Sequence, residues 1–322
     1  GRQPRLAWFY KPPVGGTTAE YLARHCQLII LTHADEPYMA ELRQVGYGGP
    51  ILQYIAANEV EGPGPYANAH AACDARYPTY QRTVSDRVGD FCAKIHPHEG
   101  WFLHNLRGAR LYTRHLSSNG IWRTVYAMNP GSRGWRGFLI RRLRQYRHLG
   151  YDGFFLDNVD LSRAGLLRQQ ADRGGVAEYP SDAALEVAML GYLRALRKAF
   201  VGVPLWANLT HDPGRIGEWT PYLENLDGIM IEDFALGWRG DPLTPAAARV
   251  QMQDARAALG AGKGVLVVVQ GRANEPQRQK EGIAAWRELV TATPTLTSTS
   301  RRPFGLYYRY ADAFRDDYRT LN

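Results

Sequence analysis

Eight short apolar runs, each six or seven residues long, alternate with helix-like patterns along this chain and constrain its fold more than any other feature. They read RLAWFY (5–10), QLIILT (27–32), PILQYIA (50–56), DGFFLD (152–157), PLWANL (204–209), DGIMIE (227–232), GVLVVVQ (264–270) and PFGLYY (303–308). Their apolar residues are contiguous rather than alternating, as in strands covered on both faces. Between most of them lie segments with apolar residues at helical spacing: 18–25, 38–45, 132–149, 182–200, 214–223, 245–259 and 275–291. Ser132 stands where the third of these needs an N-cap, and Gly150 where it needs a stop. Eight strands alternating with helices, with no long flexible linker, predict one α/β domain over 1–322, a (β/α)8 barrel. A doubly wound open sheet is the runner-up, but no glycine-rich phosphate turn follows the first strand.

The spacing is uneven after the third run, where about 75 residues precede the helix that begins near Ser132. A loop in that position emerges at the C-terminal face of a barrel, where barrel active sites sit. Residues 57–131 are therefore expected to be an insertion on the active-site face. It carries Tyr66, Tyr77, Tyr80, Trp101, Tyr112, Trp122 and Tyr126, and its second half reads as short strands turning at Asn119-Gly120. Some of these aromatics must form a satellite core; others, above a barrel mouth, suit the C–H faces of sugar rings.

The ends of the runs supply the polar groups. Asp157 and Glu232 each close a run that opens with Asp-Gly, on strands four and six of the inferred barrel. Two carboxylates at matched strand ends are what glycoside hydrolysis requires: one protonated donor and one ionised group that attacks or activates water. The bland alternatives are an Asx-type turn for Asp157 and an arginine salt bridge for Glu232. Tyr10, Lys11, Gln53, Trp101, Asn129, Asn158, Asn208, Gln270, Tyr308 and Arg309 are candidate substrate-binding residues by position alone.

GYDGFFLDNVD (150–160) resembles the fourth-strand motif of the endo-α-1,4-polygalactosaminidase family and its barrel relatives. The stretch YAMNPGSRGWRGFLIRRLRQYRHLGYDGFFLDNVDLS and the later NLDGIMIEDFALGW are similar to a glycoside-hydrolase-like family of that superfamily, hypothetical glycosyl hydrolase family 15. The likeness is strongest over 99–161 and 204–238. It implies a barrel glycosidase in which Asp157 and Glu232 are the catalytic pair, the first as nucleophile and the second as acid/base in a retaining scheme. The substrate does not carry over: a deacetylated galactosamine polymer is cationic and sits badly with a chain of net charge +8.

Other signals lead elsewhere or nowhere. The positive charge and a pI near 9.4 invite nucleic acid, but no nucleic-acid motif is present, and Arg133, Arg136, Arg141, Arg142, Arg144 and Arg147 mostly fall on the solvated side of an amphipathic helix. No nucleic-acid partner is expected. Cys92, His96 and His98 in CAKIHPH lack a second ligand cluster, so no metal site and no cofactor are expected. GAGKG (260–264) precedes a strand and lacks the Ser/Thr of a phosphate loop. Asp157, Asp160, Glu232 and Asp233 raise a metal-assisted hydrolase as one alternative; a non-catalytic carbohydrate-binding barrel and a basic scaffold are others. Asn208-Leu209-Thr210 is a glycosylation sequon, though a glycan there would block the proposed mouth. No apolar stretch approaches the ~20 residues of a membrane span. With 45% hydrophobic and 22% charged residues a large core is affordable. The chain opens GRQPRLAWFY, so an extracellular or cell-envelope location presupposes a leader already removed. Cys73 and Cys92 are either a disulfide or two free thiols, and nothing in the residues decides the oligomeric state.

Overall fold

A computed structural model of the chain describes residues 5–13, 16–56, 58–62, 84, 90–116, 122–168, 170–210, 218–237, 241–270, 275–291 and 306–311. Its centre is a closed barrel of eight strands: β1 (Arg5–Phe9), β2 (Cys26–Leu31), β3 (Ile51–Ala56), β7 (Gly153–Asp160), β8 (Leu205–Thr210), β9 (Gly228–Ile231), β10 (Gly264–Gln270) and β11 (Leu306–Ala311). Their order around the barrel is their order in the chain, and β11 closes on β1 in parallel. All eight apolar runs became barrel strands. Helices α1 (Ala19–His25), α2 (Glu36–Gln44), α3 (Arg133–Arg147), α4 (Arg163–Leu167), α5 (Asp182–Ala199), α6 (Thr220–Leu223), α7 (Pro245–Gly260) and α8 (Pro276–Thr291) separate them.

Local chemistry accounts for the helix ends. Thr18, Ser162, Ser181 and Thr244 each accept a hydrogen bond from a first-turn backbone N–H, satisfying donors a helix leaves orphaned. Ser132 does the same for Trp135 at the start of α3. Gly150, three residues past the end of that helix, has φ +107°, a conformation glycine adopts without the Cβ clash. The short α4 had no periodic signature long enough to be read, and the helix expected over 214–223 is described only from Thr220.

Side chains alternate across the barrel wall. Trp8, Ile29, Leu31 and Ile51 face outward and pack with Leu22, Met39 and Leu42 of α1 and α2. Their neighbours Phe9, Tyr54 and Phe155 therefore point inward, with ring centroids 5.3–5.9 Å apart. Trp206 and Tyr307 meet edge to face at 5.8 Å. Gly228 is glycine for a packing reason: a Cβ there would stand 2.3 Å from the Trp206 indole.

Contacts divide the chain into two compact units, one of Gly1–Tyr54, Arg147–Phe155 and Gly202–Asn322, the other of Ile55–Tyr146 and Leu156–Val201. The first holds most of the barrel wall with α1, α2, α6, α7 and α8. The second holds α4, α5, nearly all of α3, and an antiparallel sheet of β4 (Glu59–Gly62), β6 (Trp122–Ala127) and β5 (Tyr112–Leu116) in that order. The expected strand pair is thus present as β5 and β6, with Tyr112 opposite Tyr126; its turn at Asn119-Gly120 lies outside the described residues, as do Tyr66, Cys73, Tyr77 and Tyr80. Cys92 is disulfide-bonded and Cys26 is free and buried. Among the described residues no helix is long and apolar enough to cross a membrane.

Candidate active site

Glu232 follows directly on β9, and two neighbouring strands hold it. The Asn208 amide, at the end of β8, donates to Glu232 Oε2 at 2.8 Å, and the Gln270 amide, at the end of β10, donates to the Glu232 backbone carbonyl at 2.7 Å. Asn208 lies two residues beyond Trp206 on the same face of β8, the inward one. The next residue turns the other way. Gln251 of α7 donates to both the carbonyl oxygen and the carboxylate of Asp233, at 3.0 and 3.1 Å, and accepts from Ala235 N–H at 3.2 Å. Two adjacent acids are thereby assigned different partners, one over the strand ends and one against a helix.

Asp157 stands on β7, half-buried, two residues beyond the inward-facing Phe155 and so on the same face of the strand. The strand runs three residues past the apolar stretch that announced it, because the polar DNVD half still extends although it no longer looks like a covered strand. Asn158 has φ +55°, a left-handed conformation that Asn tolerates better than most non-glycine residues. Its amide donates to Glu59 Oε1, and its carbonyl accepts from the Asn58 amide, both at 3.3 Å. The segment after β3 therefore grips the end of β7. Sequence reasoning missed Asn58 and Glu59, which lie about a hundred residues from their partners and carry no local signal.

The other candidates separate into groups. Tyr10 stacks on Tyr54 at 4.9 Å, and Lys11, half-buried with φ +64°, carries its ammonium 5.8 Å from the Tyr10 ring. Beyond β2, Thr32 N–H and Oγ1 both donate to Asp35; burial pushes this carboxyl up despite those bonds. Gln53 is fully buried on β3, and its side-chain amide has no hydrogen-bond partner among the described residues. Tyr308 directs its hydroxyl at Gly282 of α8, and the buried Arg309 guanidinium lies 4.0 Å over Trp8. Trp101 covers Gly134 of α3, stacks on His98 at 4.1 Å and packs near Phe138, while Asn129 accepts from Gly131 N–H and the Tyr179 hydroxyl. Trp101 and Asn129 are joined by a backbone bond of 2.7 Å. Of all these, the structure brings Asn208 and Gln270 directly to Glu232.

No group of three or more His, Cys, Asp or Glu among the described residues is arranged to hold a metal ion. In CAKIHPH, Cys92 is in its disulfide and His96 meets the Arg110 guanidinium at 2.9 Å.

The model of the family described as hypothetical glycosyl hydrolase family 15 matches residues 66–292, well over half the chain. The chain belongs to that family. Its activity class is accordingly that of a glycosidase. Among solved structures, the glycoside hydrolase domain of PelA from Pseudomonas aeruginosa matches with 19% identity and a TM-score of 0.50, covering 91% of this chain and 96% of that one. A mutant of the trehalose-6-phosphate hydrolase of Bacillus licheniformis matches with 11% identity and a TM-score of 0.51, over 96% of this chain and 63% of that one. Ega3 of Aspergillus fumigatus, solved in complex with galactosamine, matches with 11% identity and a TM-score of 0.46, over 97% and 93%. At these identities the first two likenesses speak for the barrel fold. No curated protein matches the chain.

Proposed function

We propose that this family 15 member cleaves a poly- or oligosaccharide by double displacement, with Asp157 as nucleophile and Glu232 as acid/base, in a single catalytic domain whose 57–131 insertion borders the mouth. The observation that carries the reading is the anchoring of Glu232: a carboxylate at the end of the sixth barrel strand, its Oε2 held by Asn208 and its backbone by Gln270. A general acid needs such fixation, because proton transfer to a leaving oxygen tolerates little misplacement. Asp157 stands in the second half of the fourth barrel strand, on its inward face, where an attacking carboxylate belongs.

In the first step an Asp157 oxygen bonds to the anomeric carbon as the glycosidic C–O bond breaks, and the Glu232 proton passes to the departing oxygen. In the second, Glu232 takes a proton from water, whose oxygen displaces Asp157 with net retention. The scheme requires the two carboxyl groups to stand about 5–5.5 Å apart when sugar is bound; a gap of ~6.5–9.5 Å would mean inversion. Half-buried Lys11 and Asn158 are the proposed sugar contacts best placed to meet a ligand, with Tyr10 beneath.

Sugar release from a broad glycan panel tests the reading. Wild type should release sugar from at least one glycan, and Asp157→Asn and Glu232→Gln should each reduce release by about a thousandfold or more. Activity that survives both substitutions would sink the assignment.

A further inference from the structure

Positive charge is not spread over this protein. From Gly100 to Tyr151 the sequence contains no Asp and no Glu but ten arginines: 107, 110, 114, 123, 133, 136, 141, 142, 144 and 147. The whole chain carries +8, so everything outside this segment sums to −2. The structure shows which of these charges are already spent. Arg110 is paired with Glu99, the buried Arg142 with Asp90, and Arg147 donates to the Tyr151 carbonyl. The side chains of Arg133, Arg136, Arg141 and Arg144 have no hydrogen bond or ion pair among the described residues.

Those four share one face of α3. Its buried residues, Trp135, Phe138, Leu139, Arg142, Leu143 and Tyr146, occupy the opposite side. At 100° per residue the four guanidiniums fall within an arc of about 140°, and Arg133 to Arg144 spans ~16 Å along the axis. The ridge continues onto α5. A Cβ on Gly191 would sit 3.4 Å from Arg136 Nη1, so the absence of a side chain at 191 lets that arginine lie against α5. One and two turns further, Arg194 and Lys198 are exposed. The acids of α5 are elsewhere: Asp182 is paired with Arg163, and Glu186 projects from a different side of the helix.

We infer that the α3–α5 face is a docking ridge for an anionic polysaccharide, one bearing carboxylate, sulfate or phosphate groups along its chain. Like charges crowded on one face raise the free energy of the unliganded protein, and a polyanion relieves that repulsion while taking the forked hydrogen bonds guanidinium offers. The one large apolar residue within this arc, Ile140, is half-buried, so the face offers little to a lipid interface, which disfavours a membrane partner. The choice of a glycan over other polyanions rests on the glycosidase reading above. The ridge holds a stretch of chain by charge, and the carboxylate site does the cutting.

Binding of a fluorescent oligogalacturonide tests this, with a neutral dextran oligomer of equal length for comparison and both measured at 50 and 200 mM salt. Wild type should bind the acidic oligomer, more weakly at the higher salt, and not the neutral one. Arg133→Gln, Arg136→Gln and Arg144→Gln together should weaken binding at least tenfold. A charge-matched control, Arg24→Gln, Arg249→Gln and Arg287→Gln, should stay within twofold. The Asp157→Asn, Glu232→Gln double variant should bind like wild type, which separates the ridge from the catalytic assignment; lost binding there would overturn the ridge by placing the acidic chain in the active site. The inference also fails if the ridge variant binds within twofold of wild type, or if the control loses as much. Tighter binding of duplex DNA or phosphatidylglycerol vesicles than of the oligogalacturonide, with the same variant sensitivity, would overturn it in favour of that partner.

Discussion

Replacing Arg110 with methionine should cost about 3 kcal/mol at neutral pH, and about a third of that cost should disappear in acid. The guanidinium does three things at once. It grips the Glu99 carboxylate with a fork, Nε to Oε1 at 2.8 Å and Nη2 to Oε2. It lies 3.7 Å over the Phe102 ring, and Nη2 donates to the His96 carbonyl at 3.1 Å. The last two contribute about 1 kcal/mol each. The Arg110 fork is the largest of the influences that hold Glu99 at about 2 against an ordinary 4.5, with a second hydrogen bond from His104. At ~1.4 kcal/mol per unit that shift has a ceiling of ~3.4 kcal/mol. The Glu99 side chain is 62% exposed, however, so solvent screening reduces it to about 1 kcal/mol. Because the folded value is depressed, this contribution is complete above 4.5 and is lost as pH falls towards about 2. Urea unfolding of wild type and variant at pH 7 and at steps down to about pH 2.5 reads the difference directly. The gap should narrow by about 1 kcal/mol across the acid window. A gap that stays constant there would show that Arg110 does not hold Glu99 in the folded protein.

The same network makes a prediction of opposite sign. Burial works to lower the His104 pKa, but its hydrogen bonds to Glu178 at 2.5 Å and Glu99 at 2.8 Å outweigh it, and the net shift is upward from 6.5. Its stabilising contribution is therefore full below 6.5 and lost as pH rises through the folded value; an NMR titration of the His104 ring with a midpoint at or below 6.5 would contradict this. Asn208→Ala removes the amide that fixes Glu232 Oε2, and should lower kcat at least about tenfold on whichever glycan wild type cleaves, with KM nearly unchanged; a change confined to KM would make Asn208 a sugar contact instead. Gly153→Ala places a Cβ 2.3 Å from the Pro204 carbonyl oxygen, backbone that cannot swing away. It should cost about 1–3 kcal/mol in a thermal melt, and an unchanged Tm would refute the close approach.

The barrel was legible because its signal is local. A strand covered on both faces must be apolar throughout, so GVLVVVQ and QLIILT declare themselves without reference to anything distant, and caps such as Ser132 and Thr244 mark where helices begin. Glu232 and Asp157 stood out for a similar reason: each interrupts an apolar run at its end, where a barrel exposes polar groups. The polar extension of β7 to Asp160 could not be read this way, since nothing in DNVD distinguishes a strand from a turn.

What the chain alone determined is the sequence of elements, the barrel they close into and the two acids at strand ends. What only the tertiary structure decided is partnership. Nothing local in EVEG says that Glu59 will meet Asn158, nothing in MIED that Asp233 goes to Gln251 while Glu232 goes to Asn208, and nothing in RGWRGFLIRR that Arg136 will lie along Gly191. Periodicity reports whether a side chain faces protein or water, because burial averages over all neighbours. A hydrogen bond or a shared charged face depends on one particular neighbour at about 3 Å, and that distance exists only once the chain has closed.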